Sequence, residues 1–334
     1  NGPLTEDIGT LFAGTYVVTT TDINGCLIDT TITLIEPAPL VQDITAFQYP
    51  SGDNISCFGF NDGSIDYILG GGSPGYSYVW DNGELIEDIA TLTAGTYNVT
   101  ATDINGCVID TVITLIEPAP LNQDITAFQY PSGDNISCTG FNDGSTDYTV
   151  GGGSPTYTYV WTTSGSGSGI VVTDEDQTGL TAGTYDVTAT DINGCTIDTT
   201  ITLVEPVPLT ENVTSATYPS GDNISCFGAS DGSIDLVNTG GSPTYTYNWT
   251  TPDGSGLVVT DEDQSALTAG TYNVDVTDIN GCVISSTIIL VEPTQMTSIT
   301  SVTTNYNGND VSCEGASDGA VTVVAVEGSP TYTY

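Results

Sequence analysis

The sequence predicts an all-β protein, a tandem array of immunoglobulin-like β-sandwich domains with about 81–88 residues per repeat. Three observations predict it. Leu-x-Ala-Gly-Thr-Tyr followed by Thr-Asp-Ile-Asn-Gly-Cys occurs four times, ending at Cys26, Cys107, Cys195 and Cys282, with spacings of 81, 88 and 87 residues. That period is too long for a solenoid coil and right for a small domain. Within each period, short β-branched and aromatic runs alternate with Gly, Pro, Asn and Asp clusters, and no stretch has a helical period. Finally, Trp80, Trp161 and Trp249 recur at one position of the repeat, and Tyr16, Tyr97, Tyr185 and Tyr272 at another. The expected layout is the C-terminal part of a repeat at 1–38, complete repeats at 39–119, 120–207 and 208–294, and the N-terminal part of another at 295–334. Asn1-Gly2 aligns with Asn82-Gly83 and Tyr334 with Tyr78, so the chain reads as a window of four periods from a longer array.

Residues 39–119 show the elements in order. Asp43–Tyr49 reads as a first strand, interrupted by Pro50-Ser-Gly-Asp53. Asn61-Asp-Gly63 signals a turn, and Ser64–Leu69 follows as a strand. Gly70–Pro74 breaks the chain again. Tyr76-Ser-Tyr-Val-Trp80 alternates large aromatics, the pattern of a strand with one buried face. Thr96–Thr102 and Val108–Leu115 are two further strands, joined by a tight hairpin at Ile104-Asn-Gly106, where Asn-Gly accepts positive φ. Glu117-Pro118 stops the last strand. Trp80, Trp161 and Trp249 stand where such sandwiches place a core Trp. Tyr97, Tyr185 and Tyr272, each after Ala-Gly-Thr, read as tyrosine corners whose hydroxyl ties a turn to nearby backbone. The repeats differ in one loop: Trp80 to Tyr97 is 17 residues, Trp161 to Tyr185 is 24, and Trp249 to Tyr272 is 23. The insertion (Ser164-Gly-Ser-Gly-Ser-Gly169, for example) is expected to be a solvated hairpin.

Composition excludes several functions. The chain has no Lys, Arg or His and 42 Asp and Glu residues, a net charge of −42. Electrostatic binding to nucleic acid or an anionic membrane is excluded. So are a Ser-His-Asp triad, a His metal site and a Lys Schiff base within this stretch. The acidic residues recur once per repeat on turn motifs, which reads as architecture, and no enzymatic activity is expected. Eight Cys at fixed repeat positions, without CxxC spacing, predict disulfides and an extracellular setting.

Cys57-Phe-Gly-Phe-Asn-Asp-Gly-Ser64, Gly71-Gly-Ser-Pro-Gly-Tyr-Ser-Tyr-Val-Trp80 and Leu92–Cys107 resemble the SprB-type repeat of very large surface adhesins of Bacteroidota, including the gliding-motility adhesin. The resemblance covers the three complete repeats and both partial ones. It implies export by a type IX secretion system and display on the outer surface as a long filament.

Three cysteine connectivities are open. Pairing within a repeat gives Cys57–Cys107, Cys138–Cys195 and Cys226–Cys282. Pairing across a linker joins Cys26 to Cys57 and its equivalents, at a constant spacing of 31. The third follows from topology: in a linear string the bottom of one sandwich meets the top of the next, so Cys57 reaches Cys195 and Cys138 reaches Cys282. Bridged Cα atoms must lie within about 7 Å, whereas a seven-residue strand spans roughly 23 Å.

Asp103/Asn105, Asp191/Asn193 and Asp278/Asn280 offer oxygen ligands to calcium, the one cofactor considered, but Asp-x-Asn-Gly also suits a plain tight turn. Thr30, Thr111 and Thr199 sit in Asp-Thr-Thr/Val triplets that resemble a Bacteroidota O-glycosylation motif. The function expected is a filament segment of a giant cell-surface adhesin, acting mechanically in attachment or gliding. Its partners are neighbouring repeats of the same chain, other filaments or surface polysaccharide. Alternatives are a surface-layer or fibre protein without a ligand, and a spacer carrying an enzyme domain elsewhere.

Overall fold

The computed structural model describes residues 7–329 and 331–334. Asn1 and Gly2, which set the phase of the first repeat, lie outside them. The first repeat contributes a hairpin of β1 (Gly14–Thr21) and β2 (Leu27–Leu34). The second holds β3 (Val41–Ala46), β4 (Gly63–Gly70), β5 (Ser77–Trp80), β6 (Ile89–Leu92), β7 (Gly95–Thr102) and β8 (Val108–Leu115). The third holds β9 (Ala119–Ala127), β10 (Gly144–Gly153), β11 (Thr158–Thr163), β12 (Gln177–Leu180), β13 (Gly183–Thr190) and β14 (Thr196–Leu203). The fourth holds β15 (Thr210–Ser215), β16 (Gly232–Thr239), β17 (Thr246–Thr250), β18 (Gln264–Leu267), β19 (Gly270–Thr277) and β20 (Val283–Leu290). A hairpin of β21 (Thr297–Val302) and β22 (Val321–Val326) follows. No described residue is helical.

Each complete repeat pairs its strands the same way. In the second, β3-β4-β6 form one antiparallel sheet and β5-β7-β8 the other. The third and fourth repeats have the same two orders, β9-β10-β12 with β11-β13-β14 and β15-β16-β18 with β17-β19-β20. Strands one, two and four of the repeat on one sheet facing three, five and six on the other is the immunoglobulin-type sandwich in a six-stranded form. Alternation along β4 sends Ile65, Tyr67 and Leu69 inward, where they meet Trp80, Val99 and Leu115 from the second sheet. In the fourth repeat Ile234 and Leu236 meet Trp249, Val274 and Leu290.

The core Trp is where the two sheets are pinned. Trp80, Trp161 and Trp249 are each buried, and each indole N–H donates to a loop carbonyl: Ile86 (2.9 Å), Asp174 (2.8 Å) and Asp261 (2.9 Å). Tyr67 packs edge-on against Trp80 at 6.1 Å, and Tyr148 against Trp161 at 5.9 Å.

Two features depart from the sequence reading. The first strand ends at Ala46, not Tyr49, because the Tyr49 N–H turns to the Asp53 carbonyl (2.8 Å) and its hydroxyl donates to Asp62 (2.9 Å). The short strand β6 lacks a strand signature in the sequence because Ile89 and Leu92 both face inward three residues apart. A register shift in β4 opposite it and a left-handed Thr91 (φ 59°) break the alternation that identifies strands.

The chain divides into two compact units that do not follow the repeat boundaries. One comprises residues up to Gln123 with Val150–Thr158 and Ala189–Ile197; the other comprises Asp124–Thr149, Tyr159–Thr188 and the chain from Asp198. Part of the third repeat thus clusters with the second.

The Gly/Ser insertion is exposed along most of its length, as expected, but one glycine of it reaches the core. Tyr97, in the repeat without it, is half-buried and donates to the Thr93 carbonyl (2.9 Å). Tyr185 is fully buried, donates to Thr181 (2.7 Å) and accepts from the Ser168 N–H (3.1 Å). Gly167 lies so close that a Cβ there would stand 2.7 Å from the Tyr185 ring. Tyr272 and Gly254 repeat the arrangement. Tyr185→Phe should therefore lower stability by about 1–3 kcal/mol, since it removes a buried hydroxyl that bonds both Thr181 and Ser168. Tyr97→Phe should cost less, about 0.5–1.5 kcal/mol. Denaturant titration of each variant checks the order.

Candidate functional site

The distinctive chemistry of this chain lies where one repeat meets the next. On the upper side of each joint stands the Asp-Ile-Asn-Gly-Cys hairpin. The Asp191 carboxylate is buried, and Oδ1 accepts from the N–H groups of Asn193 (3.0 Å) and Cys195 (2.9 Å) while Oδ2 accepts from Ser154 N–H (2.8 Å). Asp103 and Asp278 make the same three bonds. The N–H donors of Ser73 and Cys107 lower the Asp103 pKa below its ordinary value of 3.8, against a smaller opposing push from burial.

On the lower side stands the loop after each repeat's first strand. Asn54 anchors it to the end of the last strand: its backbone N–H donates to Ile116 carbonyl (2.9 Å), its Oδ1 accepts from Ile116 N–H (3.0 Å), and its Nδ2 donates to Phe47 carbonyl (3.0 Å). Glu117 accepts from Gly59 N–H (2.7 Å), and Glu205 and Glu292 accept from Gly140 and Gly228 in the same way. Asp62 gathers the Ser56 hydroxyl, the Ser56 N–H and the Tyr49 hydroxyl. Burial pushes Asp62 up, but these donors together outweigh it and its pKa is lowered; Asp143 behaves alike. The linker is locked too. Gly72 N–H donates to the Ala38 carbonyl (2.8 Å), and a Cβ on Gly71, at φ +72°, would fall 1.9 Å from the Pro39 carbonyl oxygen.

Asn193 Nδ2 joins the two sides, donating to Ser51 Oγ (2.9 Å), Ser56 carbonyl (3.1 Å) and Ser154 Oγ (2.8 Å). Asn280 does so with Ser132 Oγ (2.8 Å), Ser137 carbonyl (3.2 Å) and Ser242 Oγ (2.8 Å). Beside each Asn runs a disulfide: Cys57–Cys195 with Cα atoms 5.7 Å apart, and Cys138–Cys282 at 5.6 Å. Each bridge leaves one repeat and ends in the next. The within-repeat pairs Cys57–Cys107, Cys138–Cys195 and Cys226–Cys282 are not formed, nor is the linker pair Cys26–Cys57. The reason is geometric: Cys57 is held beside Ile116, past the end of β8, whereas Cys107 precedes β8. Eight strand residues put about 27 Å between such ends. Cys26, Cys107, Cys226 and Cys313 are free and exposed.

The other singled-out residues fall as follows. The carboxylates of Asp103, Asp191 and Asp278 are engaged by N–H donors, and Asn105, Asn193 and Asn280 donate through their amides. Among the described residues no group of three or more His, Cys, Asp or Glu is arranged to hold a metal. Thr30 is exposed; Thr111 and Thr199 lie on the half-buried face of their strands. Sequence reasoning did not assign roles to Asn54, Ser56, Asp62 or Glu117, although their recurrence once per repeat was the available signal.

The SprB repeat family matches residues 52–85 and 221–254, segments that begin in the Ser-Gly-Asp loop and run just past the core Trp80 and Trp249. The chain contains SprB repeats. No curated protein matches it. Similar solved structures include the N-terminal eight Ig domains of Down Syndrome Cell Adhesion Molecule, at 13% identity, covering 82% of this chain and 43% of that one, TM-score 0.33. This chain therefore spans less than half of that structure's length. Others are Drosophila OTK extracellular domains 3–5 (12% identity, 77% and 92% covered, TM-score 0.27) and a Bacteroides ovatus SGBP-B in complex with a mixed-linkage heptasaccharide (15%, 84% and 76%, TM-score 0.16). SprB repeats and disulfides together put the chain among secreted or cell-surface repeat proteins.

Two outcomes are expected of the joints. Maleimide should label four thiols on the native chain and eight after reduction and unfolding, with Cys57, Cys138, Cys195 and Cys282 in the second set by mass spectrometry. Acid should weaken the SprB repeats as carboxylates such as Asp62 and Asp143 protonate. Because their folded pKa values lie below the ordinary 3.8, the stability they lend is present above that value and is lost as pH falls through the lower folded values. An Asp62→Asn/Asp143→Asn variant should show a shallower loss between pH 5 and pH 2 (roughly the window of carboxylate titration) when melting is followed by circular dichroism.

Proposed function

We propose that this chain is a tension-carrying segment of an extracellular surface filament, in which SprB repeats stapled to their neighbours project a binding element or pass force from the cell to a substratum. The observation that supports it is that the disulfides join successive repeats instead of closing single ones. A bridge within a sandwich stabilises that sandwich; a bridge between sandwiches strengthens the connection, which matters when the ends are pulled apart. The acidic, cation-free composition favours solubility and repulsion between near-identical domains. It supports a mechanical role over catalysis, since the bases, nucleophile activators and cationic groups of most active sites are missing.

In this reading the partners are other repeats of the chain and, beyond them, other filaments or surface polysaccharide. Export by type IX secretion, gliding and attachment follow from the kinship of the repeats with surface adhesins. A surface-layer or fibre protein without a ligand is the second reading, favoured by the bridges between successive repeats, which would strengthen such a polymer equally.

Display and load are testable together in the producing cells. Antibodies to the repeats should label intact cells, and cells carrying Cys195→Ser and Cys282→Ser should detach from a surface at a shear stress at least twofold lower than the parent. Label seen only after permeabilisation, or unchanged detachment, rejects the proposal.

A further inference from the structure

The connectivity of the two disulfides has a mechanical consequence that does not depend on surface display. We propose that they convert residues 57–282 into three parallel tethers between the same two covalent points, so that redox state sets how far this stretch extends.

Cys57 and Cys195 form one point, and Cys138 and Cys282 the other. The backbone connects these points three times: from 57 to 138 over 81 residues, from 138 to 195 over 57, and from 195 to 282 over 87. Because the bridges overlap in sequence, the middle segment runs back from the second point to the first. All three segments span the same gap, and the shortest limits it. At about 3.4 Å per extended residue, 57 residues reach roughly 190 Å, whereas the 225 residues from Cys57 to Cys282 reach roughly 770 Å once both bridges are open. The limiting segment also carries much of the core of the third repeat. It carries Tyr148, Trp161, Leu180 and Tyr185, all buried, and the Gly/Ser loop that closes over Tyr185. Unfolding the second or fourth repeat alone cannot lengthen the stretch beyond what this segment allows.

Intermediate lengths are set by which bridge opens. With Cys57–Cys195 open, the shortest path is the 81 residues from 57 to 138; with Cys138–Cys282 open, it is the 87 residues from 195 to 282. Opening is a two-electron reduction by a dithiol: the S–S bond breaks, each sulfur ends as a thiol with its proton, and the dithiol closes its own disulfide.

The test is single-molecule force spectroscopy on the whole chain, held at its two ends, with the four free thiols first capped by alkylation. Dithiothreitol should add about 168 residues, roughly 570 Å, to the fully unfolded contour of the oxidised chain. Cys195→Ser should add about 24 residues and Cys138→Ser about 30, both without reductant. As a second readout, a single protease cut between Cys57 and Cys282 should leave one band on a denaturing gel until reductant splits it. Equal contours with and without dithiothreitol, or fragments that separate without reduction, overturn the proposal. Either result leaves the question of surface display to the antibody and shear measurements.

Discussion

With no Lys, Arg or His in the chain, every carboxylate drawn into the structure must find its partner among N–H and O–H donors. The joints are built from that constraint. Asp191 and Asp278 are buried, and each is met by three backbone N–H groups that hold the hairpin in one shape. That shape carries Asn193 or Asn280 to the loop of the neighbouring repeat and places the following Cys against it. On the other side Glu117, Glu205 and Glu292 are capped by glycine N–H groups, and Asp62 and Asp143 by serine and tyrosine hydroxyls. Oriented dipoles replace ion pairs throughout, and since such donors are fixed in the backbone they also fix the loops that supply them.

The sandwich below each joint serves it by holding two distant chain positions in register. The end of the last strand anchors the first cysteine loop through Asn54 and its counterparts, and the hairpin before that strand presents the second cysteine. The length of the last strand keeps the two apart within one repeat. The Gly-Gly corner, closed on the linker carbonyl, leaves the next repeat no slack at that point.

Much of this was legible in the residues. Period, strand pattern, core Trp and tyrosine corner were readable because sheet alternation and turn chemistry are local, and Asn-Gly after Asp announces its hairpin directly. The strand β6 was not legible, since a left-handed Thr91 and a bulge opposite disguise its inward residues as a loop. The contact that the Gly/Ser insertion makes with the core was hidden for a different reason. Small residues there mark close approach to the Tyr185 and Tyr272 rings, and in sequence the same letters describe a solvated loop. The clamp roles of Asn54, Ser56 and Glu117 depend on contacts with residues up to 137 positions away, which no local pattern records.

The joints use one set of residues in one geometry: Ser51, Ser56 and Cys57 meet Asn193 and Cys195 just as Ser132, Ser137 and Cys138 meet Asn280 and Cys282. Each repeat carries the lower half of this connection at one end and the upper half at the other. Any repeat can therefore follow any other. A recombination event that removes or duplicates a whole period rejoins matching halves, so the joint it creates has both of its cysteines. A gene built of such near-identical units can change the reach of its product in single genetic steps, and each length keeps the same bridge at every joint where both halves are present.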